Sequence, residues 1–351
     1  MFTRLRAMLY VIRRVGSARS VMEGVNIWAR FCILEALQEC GLLDYLREPR
    51  TYREIVDEFG FTVSDYTTDV LVTLANDHEG VLAFEDNKYR LKPDARLPTL
   101  EDVKRQVDPA ILALNASRDL ARQLPTRMRG ESSAFAKRLE RERGDMMSFD
   151  TMLTNRLYDA ARGAALIWAR PLIGDLDGKT LLDVGCGSGR ETAHLWLLLG
   201  GKVKITAVDP VEDFVALGRE RFASLVAELS QGQPHPPITE ANAPDFQTMT
   251  AGDLHFPDAH FDMVFHSAML HWTPNPQRAV SEMLRVLKPG GVIWGGLSYK
   301  PTASRYQDLL QRVSDNVAGF PWRDDVVQWH RAGGAEFDEL VGGVYRAKKA
   351  G

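Results

Sequence analysis

Cysteine is scarce in this chain. There are three in 351 residues (Cys32, Cys40 and Cys186), far apart and odd in number. They supply neither a disulfide framework nor metal-ligand spacing, so a cytoplasmic setting is expected and no metal site is. Long hydrophobic runs are missing too. The stretch AMLYVI near the start is too short to span a bilayer and is followed at once by Arg13 and Arg14, which argues against a spanning or secretory segment. An excess of one charge sign is also lacking. The 43 lysines and arginines face 47 acids, for a formal charge of -4, which points to neither nucleic acid nor a membrane as partner. Internal repeats and low-complexity tracts are absent as well. What remains is 45% apolar and 26% charged, a globular composition with length for about two domains.

The opening segment carries Arg4, Arg6, Arg13, Arg14 and Arg19 with no acid before Glu23. A helix packed on the protein or on a partner subunit, arginines in solvent, is the expectation; a helix lying on lipid or a transit peptide is the alternative. From Val25 to about Leu46 the apolar spacing is helical. Thr51 is placed to cap YREIVDEF, which stops at Gly60. A third helix opens at Val63 or Ser64, and GVLAFEDNKYRLKP reads as a hairpin. Three helices and a hairpin fit a winged-helix arrangement. Its third helix, with Asp65, Asp69, Asp77 and Glu79 and no cation, would be repelled by phosphates. A DNA reader is therefore excluded, and a packing or dimerisation module remains.

Residues 100 to 175 read as helical, with a highly charged connector in RMRGESSAFAKRLERERGD. From 180 onward the pattern alternates. TLLDVG, VKITAVD, QTMTAGD, FDMVFHS and GVIWGGLSY read as strands, with helices between them, and EFDELVGGVYRAKK reads as a closing hairpin. The helix PQRAVSEMLRVL is expected to end in a turn at Lys288-Pro289-Gly290-Gly291. The expected boundaries are 1–100 for the helical winged-helix part, 101–175 for a connector and lid, and 176–351 for an α/β domain.

LLDVGCGSGRET carries the chemistry. Gly185, Gly187 and Gly189 permit positive φ where a strand meets a helix, and the helix N-terminus offers free amides to an anionic group. Alone, this turn fits a dinucleotide almost as well. Asp183 inside the strand end would repel a pyrophosphate yet accept from an ammonium group. Asp209 ends the second strand about 20 residues on, where an acid accepts from ribose hydroxyls. Asp253, ending the third, is placed for an exocyclic amine. An ammonium, a ribose and an amine partner together describe S-adenosylmethionine.

DVGCGSG, AVDP, AGDLHFP, FDMVFHSAMLHW and EMLRVLKPGG, in this order, resemble the successive motifs of class I S-adenosylmethionine-dependent methyltransferases over about 150–349. Residues 25–95, through ILEALQECGLLDYL and YRLKP, are similar to the winged-helix dimerisation domain of small-molecule O-methyltransferases. The resemblance implies a seven-stranded, mostly parallel Rossmann-like α/β sheet and a homodimer. It also implies transfer to a small-molecule acceptor, at oxygen first and at carbon or nitrogen as the alternative, or else a non-catalytic cofactor-binding scaffold. Asp183, Gly185, Gly187 and Gly189, Asp209 with Pro210, and Asp253 with Leu254 are its cofactor residues. Phe265 and His266 would lie beside the sulfonium. Phe149 and Met152 of FDTM would close over acceptor and cofactor. His271 in MLHW is the candidate general base, with His266 the second catalytic candidate, and Trp272, Tyr306 and Trp322 are candidate acceptor contacts. Cys186 is read as part of the turn rather than as a nucleophile.

Overall fold

A computed structural model describes residues 2–15, 18–76, 80–109, 115–132, 156–300, 305–314 and 316–351. In chain order the first elements are helices α1 (Phe2–Val15), α2 (Ala18–Glu39) and α3 (Leu42–Tyr45), then β1 (Arg50–Thr51), α4 (Tyr52–Phe59) and α5 (Ser64–Asn76). The hairpin β2 (Leu82–Glu85) and β3 (Lys88–Leu91) precedes α6 (Leu100–Gln106), α7 (Asn115–Arg122), α8 (Leu124–Met128) and α9 (Arg156–Ile173). Alternation follows through β4 (Thr180–Val184), α10 (Arg190–Leu198), β5 (Lys204–Asp209), α11 (Glu212–Ser230), β6 (Asp245–Thr248) and β7 (Phe261–Ser267). The rest is α12 (Pro276–Val286), β8 (Leu287–Gly296), α13 (Arg305–Gln311), α14 (Arg323–Ala332), β9 (Ala335–Val341) and β10 (Val344–Lys349).

The chain divides into two compact units: Arg19–Arg141 with Ala303–Gly319, and Met1–Ala18 with Glu142–Thr302 and Phe320–Gly351. This replaces the three consecutive stretches expected above, and packing gives the reason. In the first unit, α13 returns late in the chain to α5: Tyr66 donates to the Leu309 carbonyl at 2.7 Å and Arg312 pairs with Asp69 at 2.8 Å. In the second unit, α1 lies on α9, with Ala7, Tyr10 and Val11 in the same core as Ala164 and Ala165. Gly163 allows that approach, because a Cβ there would come within 2.5 Å of the Tyr10 ring.

Local signals in the first unit act as expected. Thr51 and Glu54 form a capping box, and Gly60 closes α4 in the left-handed region at φ 65°. Asp86 and Asn87, at φ 51° and 60°, give the β2–β3 turn the twist that suits a tight hairpin. β1 adds to β3, so the small sheet runs β1-β3-β2. Ile33 and Leu37 of α2, Leu42 and Leu43 of α3, Ile55 of α4 and Leu71 of α5 are all fully buried.

The second unit is a seven-stranded sheet in the order β6-β5-β4-β7-β8-β10-β9. β4 pairs in parallel with β5 and β7, β5 with β6 and β7 with β8, while β10 runs antiparallel to β8 and β9. It is a mixed Rossmann-like α/β sheet with helices on both faces. Helices α1, α9, α10 and α11 cover one face, and α12 and α14 the other. Lys288 to Gly291, expected as a turn, lie inside β8, whose pairing with β7 shifts register between Phe261 and Met263. The strand order reverses between β4 and β7, and the crevice past such a switch point is where α/β sheets bind ligands.

Candidate active site

Strand β4 delivers the glycine turn to that crevice. Gly185, Gly187 and Gly189 have φ of 78°, 50° and 82°, a region that side-chain-bearing residues rarely adopt. The amides of Gly185 and Cys186 donate to the Val208 carbonyl at 2.8 and 3.0 Å, stitching the turn to β5. Packing needs two of the three glycines. A Cβ on Gly185 would sit 2.7 Å from Met269, and one on Gly189 2.8 Å from Gly218 Cα. Gly187 differs: nothing lies within 4 Å of a Cβ built there. The turn is open at its middle glycine.

Two buried carboxylates flank the turn. Asp209 accepts from the Gly187 and Val211 amides, both at 3.0 Å. Burial lifts its pKa to about 6 despite those bonds. Asp183 accepts from the Thr192 hydroxyl of α10 at 2.6 Å. Burial raises its pKa to about 7; the Thr192 hydrogen bond opposes this, the charge of Asp209 adds to it, and Arg162 counters. Arg162 of α9 pairs with Glu191 in the first turn of α10, both deeply buried. Neither residue was singled out from the sequence. The signal was an arginine inside the small-residue run AARGAAL, where a cation is expensive unless a partner waits. Burial also pushes the Cys186 thiol well above its ordinary value, so the thiolate form is disfavoured.

Adjacent residues of β7 face opposite ways. Phe265 pairs with Asp183 in register, shares the face covered by α9 to α11 and lies 5.8 Å from the Trp294 ring. His266 turns to the other face, where its Nε2 is hydrogen-bonded to the Tyr345 hydroxyl. It is fully buried, and burial holds its pKa down to about 3. The placement beside a sulfonium expected for His266 is therefore corrected: strand alternation carries it away from Asp183.

His271 occupies a short 3-10 turn, Leu270–Trp272, just past β7. Its ring is 4.6 Å from that of Phe320 and 5.5 Å from that of Trp272. The ring is buried, its Nδ1 has no hydrogen-bond partner among the described residues, and burial lowers its pKa to about 3. A neutral imidazole with an unshared ring nitrogen is what the turn presents. Met269, two residues earlier, covers Gly185; it too escaped notice in the sequence.

Other expected site residues are less well gathered. β6 stops at Thr248, so Asp253 does not end a strand; it closes a turn through a bridge to Thr250. Its side chain is 68% exposed and lies 3.3 Å from His255. Leu254 is a correction as well, because its side chain belongs to the core under α12 and its amide donates to Glu282. Pro210 is exposed, Trp272 half-buried and Trp322 55% exposed. Tyr306 is buried on α13, in the first unit. Phe149 and Met152 lie outside the described residues.

A family model described as "Methyltransferase domain" matches residues 182–295. A ubiquinone/menaquinone biosynthesis C-methyltransferase of Shewanella piezotolerans is 31% identical over 158 residues, covering 44% of this chain and 55% of the relative. A phosphatidylethanolamine N-methyltransferase of Cereibacter sphaeroides is 31% identical over 116 residues, covering 33% and 49%. The chain thus spans about half the length of the curated relatives it matches. In fold, nearly the whole chain follows the CurJ carbon methyltransferase structure, with TM-score 0.72, 14% identity, and 99% and 98% coverage.

These relatives overturn the expected oxygen acceptor, because they are C-methyltransferases and an N-methyltransferase. The glycine turn and its acids sit inside or against the matched segment, and residues 182–295 form a class I methyltransferase domain whose cofactor is S-adenosylmethionine.

Proposed function

We propose that this chain transfers the methyl group of S-adenosylmethionine to a carbon atom of a small-molecule acceptor. One observation carries the reading: two buried carboxylates flank a glycine turn that is open at Gly187, within a segment that aligns with C-methyltransferases. The bound cofactor supplies an electrophilic methyl on a sulfonium. In this reading the first turn of α10, just past the glycines, receives its carboxylate, since the Gly185, Cys186, Gly187 and Gly189 amides are already bonded within the protein. Asp183 faces the ammonium, and Arg162 balances the local negative charge. Asp209 accepts from the ribose hydroxyls, with Asp253 left exposed toward the adenine amine. Phe265 lines the same side of the sheet.

Carbon methylation requires loss of a proton from the acceptor. His271 is the proposed recipient, neutral and with Nδ1 unshared. A carbon beside carbonyl groups, whose C–H is acidic enough to give up that proton, is the proposed acceptor class. The Cereibacter relative supports nitrogen as the second reading. The order of β1, α4, α5, β2 and β3 supports a winged helix in the first unit, and we assign homodimer formation to that unit as part of the proposal.

The test is incubation with methyl-labelled donor and carbon-acid acceptors, products read by carbon NMR. Label on carbon, with Asp209→Ala raising KM for the donor and His271→Ala lowering kcat, supports the reading. Label on nitrogen moves the second reading ahead. Tight S-adenosylhomocysteine binding with no transfer to any acceptor makes the chain a scaffold. Light scattering tests the homodimer, which a monomeric mass removes.

A further inference from the structure

The outward face of α1 is apolar. Phe2 is 86% exposed, Leu5 55%, Met8 36%, Leu9 42% and Ile12 63%. At 3.6 residues per turn these five fall in one continuous arc. The opposite arc already holds the helix in place, with Ala7 fully buried and Tyr10 and Val11 against the α9 core. A surface helix ordinarily turns its only apolar stripe inward. This one carries a second stripe turned to solvent, and a contiguous exposed patch marks an interface.

The charges decide what kind. Arg6 and Arg13 border the arc on one side. Arg4 borders it on the other, its guanidinium 5.7 Å from the ring of Trp168. No aspartate or glutamate occurs among the first 22 residues. Two copies of this face would set arginine against arginine with no carboxylate on the helix to answer them. Of the acids on β9, Asp338 is engaged by Arg346 at 2.9 Å and Glu339 by Arg323 at 2.6 Å, which leaves the exposed Glu336 as a single carboxylate against three arginines. An apolar arc edged by cations with no ion-pair partner among the described residues matches an anionic lipid surface, where side chains enter the acyl boundary and arginines meet phosphates.

We propose that α1 docks this protein on the surface of an anionic phospholipid membrane, lying in the interface plane. No described helix is long and apolar enough to cross one, and docking of this kind needs none. Contact through one helix is reversible and weakens with salt.

The experiment is co-sedimentation of the full chain with vesicles of phosphatidylcholine alone, and of phosphatidylcholine mixed with phosphatidylglycerol. Binding is expected only to the mixed vesicles. Leu5→Glu with Ile12→Glu, and separately Arg6→Glu with Arg13→Glu, each lower partitioning by about ten-fold or more. Thermal midpoint and S-adenosylhomocysteine affinity stay as in the unsubstituted chain, since all four side chains are exposed. Absence of binding to mixed vesicles overturns the proposal, as does binding that both double variants retain. A dimer in light scattering that Leu5→Glu with Ile12→Glu splits assigns the face to a second copy and overturns it too.

Discussion

Two buried polar clusters lie on opposite faces of the same sheet, and they are built to different ends. On the α9–α11 side, Asp183, Asp209, Thr192, Arg162 and Glu191 gather beside an open glycine and the start of a helix. On the other side, His266, Tyr345 and His330 pack among aromatic rings, with His330 Nδ1 donating to the Val326 carbonyl at 2.8 Å. The first cluster holds acids whose burial costs free energy and whose neighbours only partly relieve it. The second holds groups that burial keeps neutral. Depth alone does not separate a site from a core; uncompensated charge beside open space does.

The widest separation between the clusters is expected in ligand binding. Asp209→Ala should weaken S-adenosylhomocysteine binding on the order of a hundred-fold by calorimetry, roughly the loss of one charge-assisted contact of 2–3 kcal/mol. Tyr345→Phe should leave that affinity unchanged. It should instead cost about 1–3 kcal/mol in chemical denaturation, because His266 Nε2 loses its buried partner. Equal effects of both variants on binding would abolish the contrast between the two clusters.

Proton linkage gives a middle-sized effect. Asp183 and Asp209, raised to about 7 and about 6, bind protons more readily folded than unfolded. Their contribution is present at low pH and lost as pH rises through about 4 to 7. His266, His271 and His330, lowered to about 3, 3 and 4, act oppositely: their contribution is lost as pH falls from about 6.5 through those values. Three groups outweigh two, so the ligand-free melting temperature should fall on acidification from pH 6 to 4. Asp183→Asn should steepen that fall and raise the melting temperature at pH 8. Melts that ignore the substitution at both pH values would mean that Asp183 is not held at raised pKa.

The smallest effect belongs to the open glycine. Gly187→Ala should cost only about 1 kcal/mol of stability, the strain of a positive φ, since no atom opposes the new methyl. Gly189→Ala should cost more, because the methyl meets Gly218 Cα. A reversal in denaturation midpoints would place the opening elsewhere in the turn.

Much of this fold could be read from local pattern. Alternating apolar runs located β4, β5 and β7, and Thr51 with Gly60 bounded α4, because strand burial and helix caps are short-range signals. The glycine turn and both aspartates were legible for the same reason. Arg162 with Glu191, and Met269 over Gly185, were not, since each depends on a partner far along the chain or on a turn without periodicity. His266 misled because a strand end names a residue but not its face until register is known. Asp253 misled because the apolar run QTMTA extended the strand on paper, where the chain instead turns after Thr248. The acceptor atom was assigned by likeness of the wrong part of the chain, the helices of the first unit.

The sheet's strand order also sets a timetable. β10 is the last strand in sequence, yet it lies between β8 and β9 and hydrogen-bonds to both. Until it arrives, β9 has no neighbour, β8 is an open edge facing bulk solvent, and the partner of His266 is missing. During synthesis the glycine turn and its flanking strands emerge before the sheet can close. Closure of the sheet thus waits for its final strand, and until then β8 is an unpaired edge open to other chains.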